Sequence, residues 1–361
     1  MSVRIIAARR TAVAPRGGAF RRLRIEDLVA PMVQAVLADA GISPGDVDEL
    51  VCSNALGAGG NPGRRVALAA GLPERVAGLT LDRQCAGGLD AIALAGALVV
   101  SGQARVVVAG GVESHSLRPL RAMPDLEGGP PVPYEQAPFT PWPDRDPEMA
   151  QAAAALAERL GITRAEADAY AAESHRRALG ADFRAEIVPL AGLERDAFPR
   201  ALTPALAARA KVLAGPVTAA NAAVAADAAA FVMVAAEEVA RGRGLRIAAS
   251  ATLGADPEQP GLAPIPAIAA ALARAGIGPA DLRQAEVMEA YAVQALACIR
   301  GAGLDPAIVN LEGGALARGH PIGASGAILA VRLFHDLRAG HGLAAIASAG
   351  GIGAAMVLAA D

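Results

Sequence analysis

The sequence predicts an α/β protein with helices covering a largely parallel sheet, and three observations predict it. Short, uninterrupted apolar runs recur, Ala-rich stretches that stop at glycine lie between them, and the two alternate along the chain. Runs without polar alternation suit strands buried on both faces, and strands alternating with helices build layered α/β folds. Val3–Ala8 reads as the first strand, and Ile25–Ala40 as a helix ended by Gly41, with Asp46 after Ser43-Pro44 offering a next start. Leu89–Gly102 reads as a helix leading into the strand Arg105–Ala109. Residues 116–148 break the pattern with nine of the 25 prolines and three of the ten aromatics, Tyr134, Phe139 and Trp142. Proline fixes φ and removes a donor, so this stretch is either a linker or, given its aromatics, a lid over a pocket. Helical pattern resumes at Pro147–Leu160 and Arg164–Leu179. The strand Leu245–Ala249, the helix Ile265–Gly276 and the strands Ala344–Ala349 and Ala355–Leu358 complete the chain.

Composition narrows the function. The chain has 361 residues, a net charge of -3 and 53% hydrophobic but only 3% aromatic residues. That balance excludes disorder, a basic phosphate-binding footprint and a base-stacking platform. The uncharged run Gly342–Ala360 is long enough for a membrane span, but Gly, Ala and Ser dominate it, so strand, glycine turn and strand is the better reading. Cys52, Cys85 and Cys298 are too few and too scattered for a disulfide framework, and neither they nor the histidines have metal-ligand spacing. No metal is expected, and a reducing cytoplasm is.

Two loops stand out. Cys85-Ala-Gly-Gly opens an apolar helix that leads to Val106–Gly111, and His320-Pro-Ile-Gly-Ala-Ser-Gly opens another that leads to Ala345–Gly351. The echo suggests a duplicated unit that sets both loops at one centre. A thiol at a helix N-terminus meets free N–H groups and partial positive charge, which lower its pKa and favour nucleophilic work over the buried-hydrophobe role that suits Cys52 and Cys298. Glycines crowd His320, and a backbone that close suits an approaching ligand. His115, just after a strand, could line a cleft. Gly351-Ile-Gly353 and Gly319–Gly326 lack the context of dinucleotide and Walker loops.

The blocks Gln84–Leu89, Gly110–Ser114, Val217–Asn221, Glu289–Ala292, Gly319–Gly326 and Gly350–Gly353 resemble those of the thiolase family, the acyl-CoA acetyltransferases, over essentially the whole chain. The resemblance implies two βαβαβαββ halves, layered α/β/α/β/α, with an inserted loop domain over coenzyme A. Residues 1–115 plus 221–244 would form one half, 116–220 the loop domain and 245–361 the second half. It further implies a homodimer or homotetramer that uses acyl-CoA and CoA as substrates, with no bound cofactor, nucleic acid or membrane. Cys85 would carry the acyl group as a thioester and His320 would activate it. N–H groups of Cys85 and Gly350 would form an oxyanion hole. Asn221 and Ala223 would flank the pantetheine arm, and Ala315, Gly351 and His115 would join the substrate site. Departures from the family pattern accompany these matches. Ser348 stands for the second catalytic cysteine, Met288, before Glu289, stands for an asparagine that holds an oxyanion-hole water, and no counterpart of the loop-domain histidine can be placed. Acylation of Cys85 is therefore expected to survive. Carbon–carbon chemistry, transfer to another acceptor or hydrolysis, and a non-catalytic CoA-binding subunit are the open alternatives.

Overall fold

The computed structural model describes residues 2–57 and 59–361. The strands that build the main sheet are β1 (Val3–Arg10), β2 (Glu49–Ser53), β3 (Leu79–Leu81), β4 (Val106–Ser114), β5 (Ala226–Ala236), β6 (Leu245–Gly254), β7 (Leu282–Val287), β8 (Gly340–Ser348) and β9 (Ile352–Ala360). They lie in the order β7-β8-β9-β6-β1-β5-β4-β2-β3, and a tenth strand, Ala14–Pro15, pairs beside β5. The expectation of a largely parallel sheet is corrected here. β2/β3, β2/β4 and β7/β8 are parallel, whereas β1/β5, β1/β6, β4/β5, β6/β9 and β8/β9 are antiparallel. The short turn between β8 and β9 explains part of this, because the three residues Ala349-Gly350-Gly351 can only reverse a strand, not cross it over.

The internal echo is real. Reading outward from β1 gives β5, β4, β2 and β3. Reading outward from β6 gives β9, β8, β7 and then a parallel bridge from Ala285 to Val309, with the same directions at each step. Within the sheet the halves join where Arg4 and Ile5 pair with Arg246 and Leu245.

Helices fill the layers. α1 (Ile25–Ala40) packs on the first half and ends at Gly41 in the left-handed conformation. α2 (Gly87–Val100) and α7 (Ile322–Asp336) pack on each other in the centre of the molecule. Glycine makes that crossing possible: a Cβ on Gly88 would stand 2.6 Å from the Ala327 nitrogen, and one on Gly326 would stand 2.5 Å from that of Leu89. α3 (Met149–Leu160), α4 (Arg164–Gly180) and α6 (Ala292–Gly301) share an Ala-rich core, while α5 (Pro264–Ala275) covers the second half.

Residues 116–148 contain only a two-residue hairpin, Ala122–Met123 with Val132–Pro133, and one short turn of helix. The segment after α4 is anchored by a buried ionic cluster. Arg10 holds Glu186 at 2.6 Å and Asp196 at 2.7 Å, Arg332 holds Glu186, Glu312 and Asp336, and both guanidiniums lie over the Phe183 ring. Among the described residues, no helix is long and apolar enough to cross a membrane.

Candidate active site

Cys85 sits in the single helical turn Gln84–Ala86 that runs into α2. Gln84 takes the left-handed conformation (φ 48°), uncommon for a residue with a side chain, and the Asp82 carboxylate accepts its N–H at 2.9 Å. This turns the thiol toward His320, whose Nε2 lies 3.1 Å from Sγ. His320 is fixed by its own N–H, which donates to the Val224 carbonyl at 2.7 Å, and by Pro321.

Ser325 sets the tautomer. Its hydroxyl donates to the Pro321 carbonyl at 3.0 Å, so its oxygen is left to accept from Nδ1–H of His320 at 2.7 Å. Nε2 then carries the lone pair and faces the thiol. The N-terminus of α7 is held by Glu113, which accepts from Gly323 N at 3.0 Å, from Ala55 N and Leu56 N at 3.2 Å, and from Asn54 Nδ2 at 2.9 Å. Burial lifts the Glu113 carboxyl to about 7, against the pull of those N–H groups.

The pair is neutral. Burial pushes the Cys85 thiol up to about 12, outweighing the backbone N–H groups of Cys85 and Ala349 that face the sulfur. Burial, with a smaller contribution from His115, pushes His320 down to about 4. Desolvation thus works against the lowering expected at the helix start, with Cys85 and His320 partly buried and both open to the cleft. The N–H groups that face the sulfur are those of Cys85 and Ala349, and the next residue, Gly350, lies against the Phe139 carbonyl.

Cys85 and His320 open on a cleft of about 440 Å³. Of the residues singled out in the sequence, His115, Ala223 and Ser348 also line it. His115 is buried, its Nδ1 has no partner, and burial followed by Arg118, Arg16 and Arg121 pushes it down to about 4. The Ser348 hydroxyl donates to the Arg83 carbonyl at 3.0 Å.

Others lie outside the cleft. Met288 is packed in the core. The Glu289 carboxylate accepts from Tyr170, Ser174, Asn310 and Leu316, and so joins α4 to the loop before His320. Asn221 accepts from Thr218 N and donates to Asp168 and Pro216, and its neighbours Ala222 and Ala223 reach the cleft in its place. Ala315 is buried in the core, and Gly351 is held against Ala255. Residues 116–148 do form a wall, through Arg118, Arg121, Glu135 and Phe139, but Trp142 stays half exposed over Arg145. Glu113 and Ser325 lie inside the blocks read from the sequence, where the carboxylate and the hydroxyl were signals without an assigned partner. Ala349 acts through its backbone, which leaves no mark in the sequence.

Among the described residues no group of His, Cys, Asp and Glu is arranged to hold a metal ion. Two matching α/β halves that each supply one member of a thiol–imidazole pair define an enzyme of duplicated fold. Residues 3–238 match the thiolase N-terminal domain and residues 244–360 the thiolase C-terminal domain. The chain is 38% identical to a putative acetyl-CoA C-acetyltransferase of Bacillus subtilis and to an acetyl-CoA acetyltransferase of Pseudomonas aeruginosa, each over 99% of both chains. It superposes on the acetyl-CoA acetyltransferase of Bacillus anthracis with a TM-score of 0.92 (33% identity, 100% of this chain and 99% of that one). On human mitochondrial 3-ketoacyl-CoA thiolase in complex with CoA the TM-score is 0.91 (30% identity, 100% and 98%). The chain belongs to the thiolase family and is an acyltransferase.

Proposed function

We propose that the enzyme transfers acyl groups from acyl-CoA or β-ketoacyl-CoA through an acyl-Cys85 thioester, in a ping-pong cycle without a bound cofactor. The observation that carries this reading is the 3.1 Å contact between Cys85 Sγ and the lone-pair nitrogen of His320. Sγ attacks the thioester carbonyl while its proton passes to Nε2, so the thiol ionises only as it attacks. The N–H groups of Cys85 and Gly350, the pair that the family resemblance implies, receive the developing oxyanion. The bond to the coenzyme sulfur then breaks, and the imidazolium returns the proton to the leaving thiolate, giving free CoA and acyl-Cys85.

A second reading concerns the acceptor: transfer to a nucleophile other than carbon, or hydrolysis. The commitment of the Ser348 hydroxyl to Arg83 O favours it, because carbon–carbon bond formation needs a base for the α-proton and a hydroxyl is a poor one at neutral pH. The assembled thiol–imidazole pair argues against a purely non-catalytic subunit. With this reading go a cytoplasmic location, supported by three free cysteines, a homodimeric or homotetrameric state, and the division into halves 1–115 plus 221–244 and 245–361 with a loop domain at 116–220. Intact-protein mass spectrometry with acetyl-CoA tests the core of it. An acetyl adduct on the wild type that is absent from Cys85→Ala is expected, and an adduct that persists in the variant overturns the assignment.

A further inference from the structure

The cleft carries cationic groups that the acyl transfer described above does not use. Arg118 and Arg121 line it together with Cys85 and the buried His115. The Arg118 side chain is only 16% exposed and pairs with Glu135, which lines the same cleft from an 81% exposed position. Arg121 donates to the Ala55 carbonyl, a neutral acceptor. Two guanidiniums thus face the cleft against one carboxylate, and among the described residues Arg121 has no acidic partner. Arg118, Arg16 and Arg121 all disfavour a proton on His115, and Arg118 is itself held down by burial and by its two arginine neighbours. Asp227, the acid nearest the backbone of His115, is occupied by Ser116 through both its N–H and its hydroxyl. The buried Nδ1 of His115, which has no hydrogen-bond partner in the protein, adds a polar atom to the same wall.

Resting on the acyl-Cys85 reading, we infer that this end of the cleft is a subsite for the far end of the acyl chain, and that the preferred substrates are CoA thioesters of dicarboxylic acids. The methylene chain would lie on apolar walls such as Leu56 and Phe139, and the terminal carboxylate would accept from Arg118, Arg121 and His115. The chemistry of transfer is unchanged. The acyl carbon leaves the coenzyme sulfur for Sγ, the thiol proton ends on the released CoA, and the distal carboxylate is untouched.

The test compares adipyl-CoA with hexanoyl-CoA, which share a chain length, and includes acetyl-CoA; the readout is the rate of Cys85 acylation per unit thioester, followed by intact mass. The wild type should be acylated at least about tenfold faster by adipyl-CoA than by hexanoyl-CoA, and that ratio should fall by about tenfold in Arg121→Gln or Arg118→Gln. Arg121→Gln, which breaks no ion pair, keeps the test valid if Arg118→Gln does not fold. A wild-type ratio of one or less overturns the inference, as does a ratio unchanged in both variants. Equal slowing of all three thioesters in the variants also overturns it, because the arginines would then serve the coenzyme's phosphates. Acylation by acetyl-CoA without any adipyl preference sinks this inference alone, whereas no Cys85 adduct with any thioester sinks the acyl-Cys85 reading and this inference together.

Discussion

The starts of α2 and α7 occupy equivalent places in the two halves, and each carries its reactive side chain two residues ahead of the helix. Cys85 precedes Gly87 and His320 precedes Ile322. The surroundings differ. At the first, the neighbouring backbone N–H groups are left facing the sulfur. At the second, Glu113 takes up the Gly323 N–H and Ser325 takes up Nδ1. One duplicated frame therefore yields a position that welcomes developing negative charge and another whose donors are already satisfied, leaving only a lone pair to act. Duplication supplied the geometry, and the caps separated the roles.

The largest expected effect comes from removing the nucleophile: Cys85→Ala should lower CoA release by roughly four orders of magnitude or more in an assay with acetyl-CoA. Next, His320→Gln keeps a side chain at the same place but not the basic nitrogen, and should slow acylation about 10²- to 10⁴-fold by stopped-flow thiol release. If His320→Gln is as fast as wild type, the second loop is not the proton acceptor. Gly88→Ala attacks the helix crossing that brings the two loops together. The clash with Ala327 should cost about 1–3 kcal/mol in urea unfolding. Ser325→Ala leaves both reactive groups in place but frees the tautomer, so acylation should fall about tenfold, the equivalent of one hydrogen bond of about 1 kcal/mol or somewhat more. The smallest effect lies in the pH profile. With His320 down near 4 and Cys85 up near 12, the one inflection of kcat/KM for acylation between pH 6 and 9 should be that of Glu113 near 7, removed in Glu113→Gln. An inflection that remains in that variant would mean that the helix dipole outweighs burial after all.

The same shifts have a consequence for stability. His320, His115 and His175 are each pushed down to about 4 from 6.5. Above pH 6.5 both folded and unfolded chains hold these rings neutral, so there is no penalty. Below it the unfolded chain binds protons that the folded one refuses, and stability falls as the pH drops from 6.5 toward 4.

Much of this was legible in the sequence. Runs such as Val3–Ala8 and Leu245–Ala249 mark strands because burial on both faces removes the need for alternation, and Gly41 and Gly276 mark helix ends because few other residues adopt the left-handed conformation. Two glycine-rich loops in matching places suggested a shared centre for Cys85 and His320, and the family resemblance gave the two residues their roles. Strand direction was not legible, since apolar continuity reports burial and is silent on parallel or antiparallel neighbours. Nor were the places of Asn221 and Glu289, whose side chains turn inward to hold loops. A polar residue in a recognisable block reads the same whether it touches substrate or backbone. The balance of burial against dipole at Cys85 also depends on everything packed around the sulfur, which no local stretch of sequence contains.

The position of β5 between β1 and β4 has a consequence for synthesis. Its residues, 226–236, emerge long after β1 ends at residue 10, with the whole 116–220 segment in between. At about 5–20 residues per second, the first half waits on the order of tens of seconds with two unfilled strand edges. In the second half β6 ends at residue 254 and its partner β9 begins at 352, so the equivalent wait is about half as long. Newly made chains should therefore be most exposed to edge-to-edge aggregation before residue 236 leaves the ribosome, and slowed translation over 116–220 should lower the soluble yield.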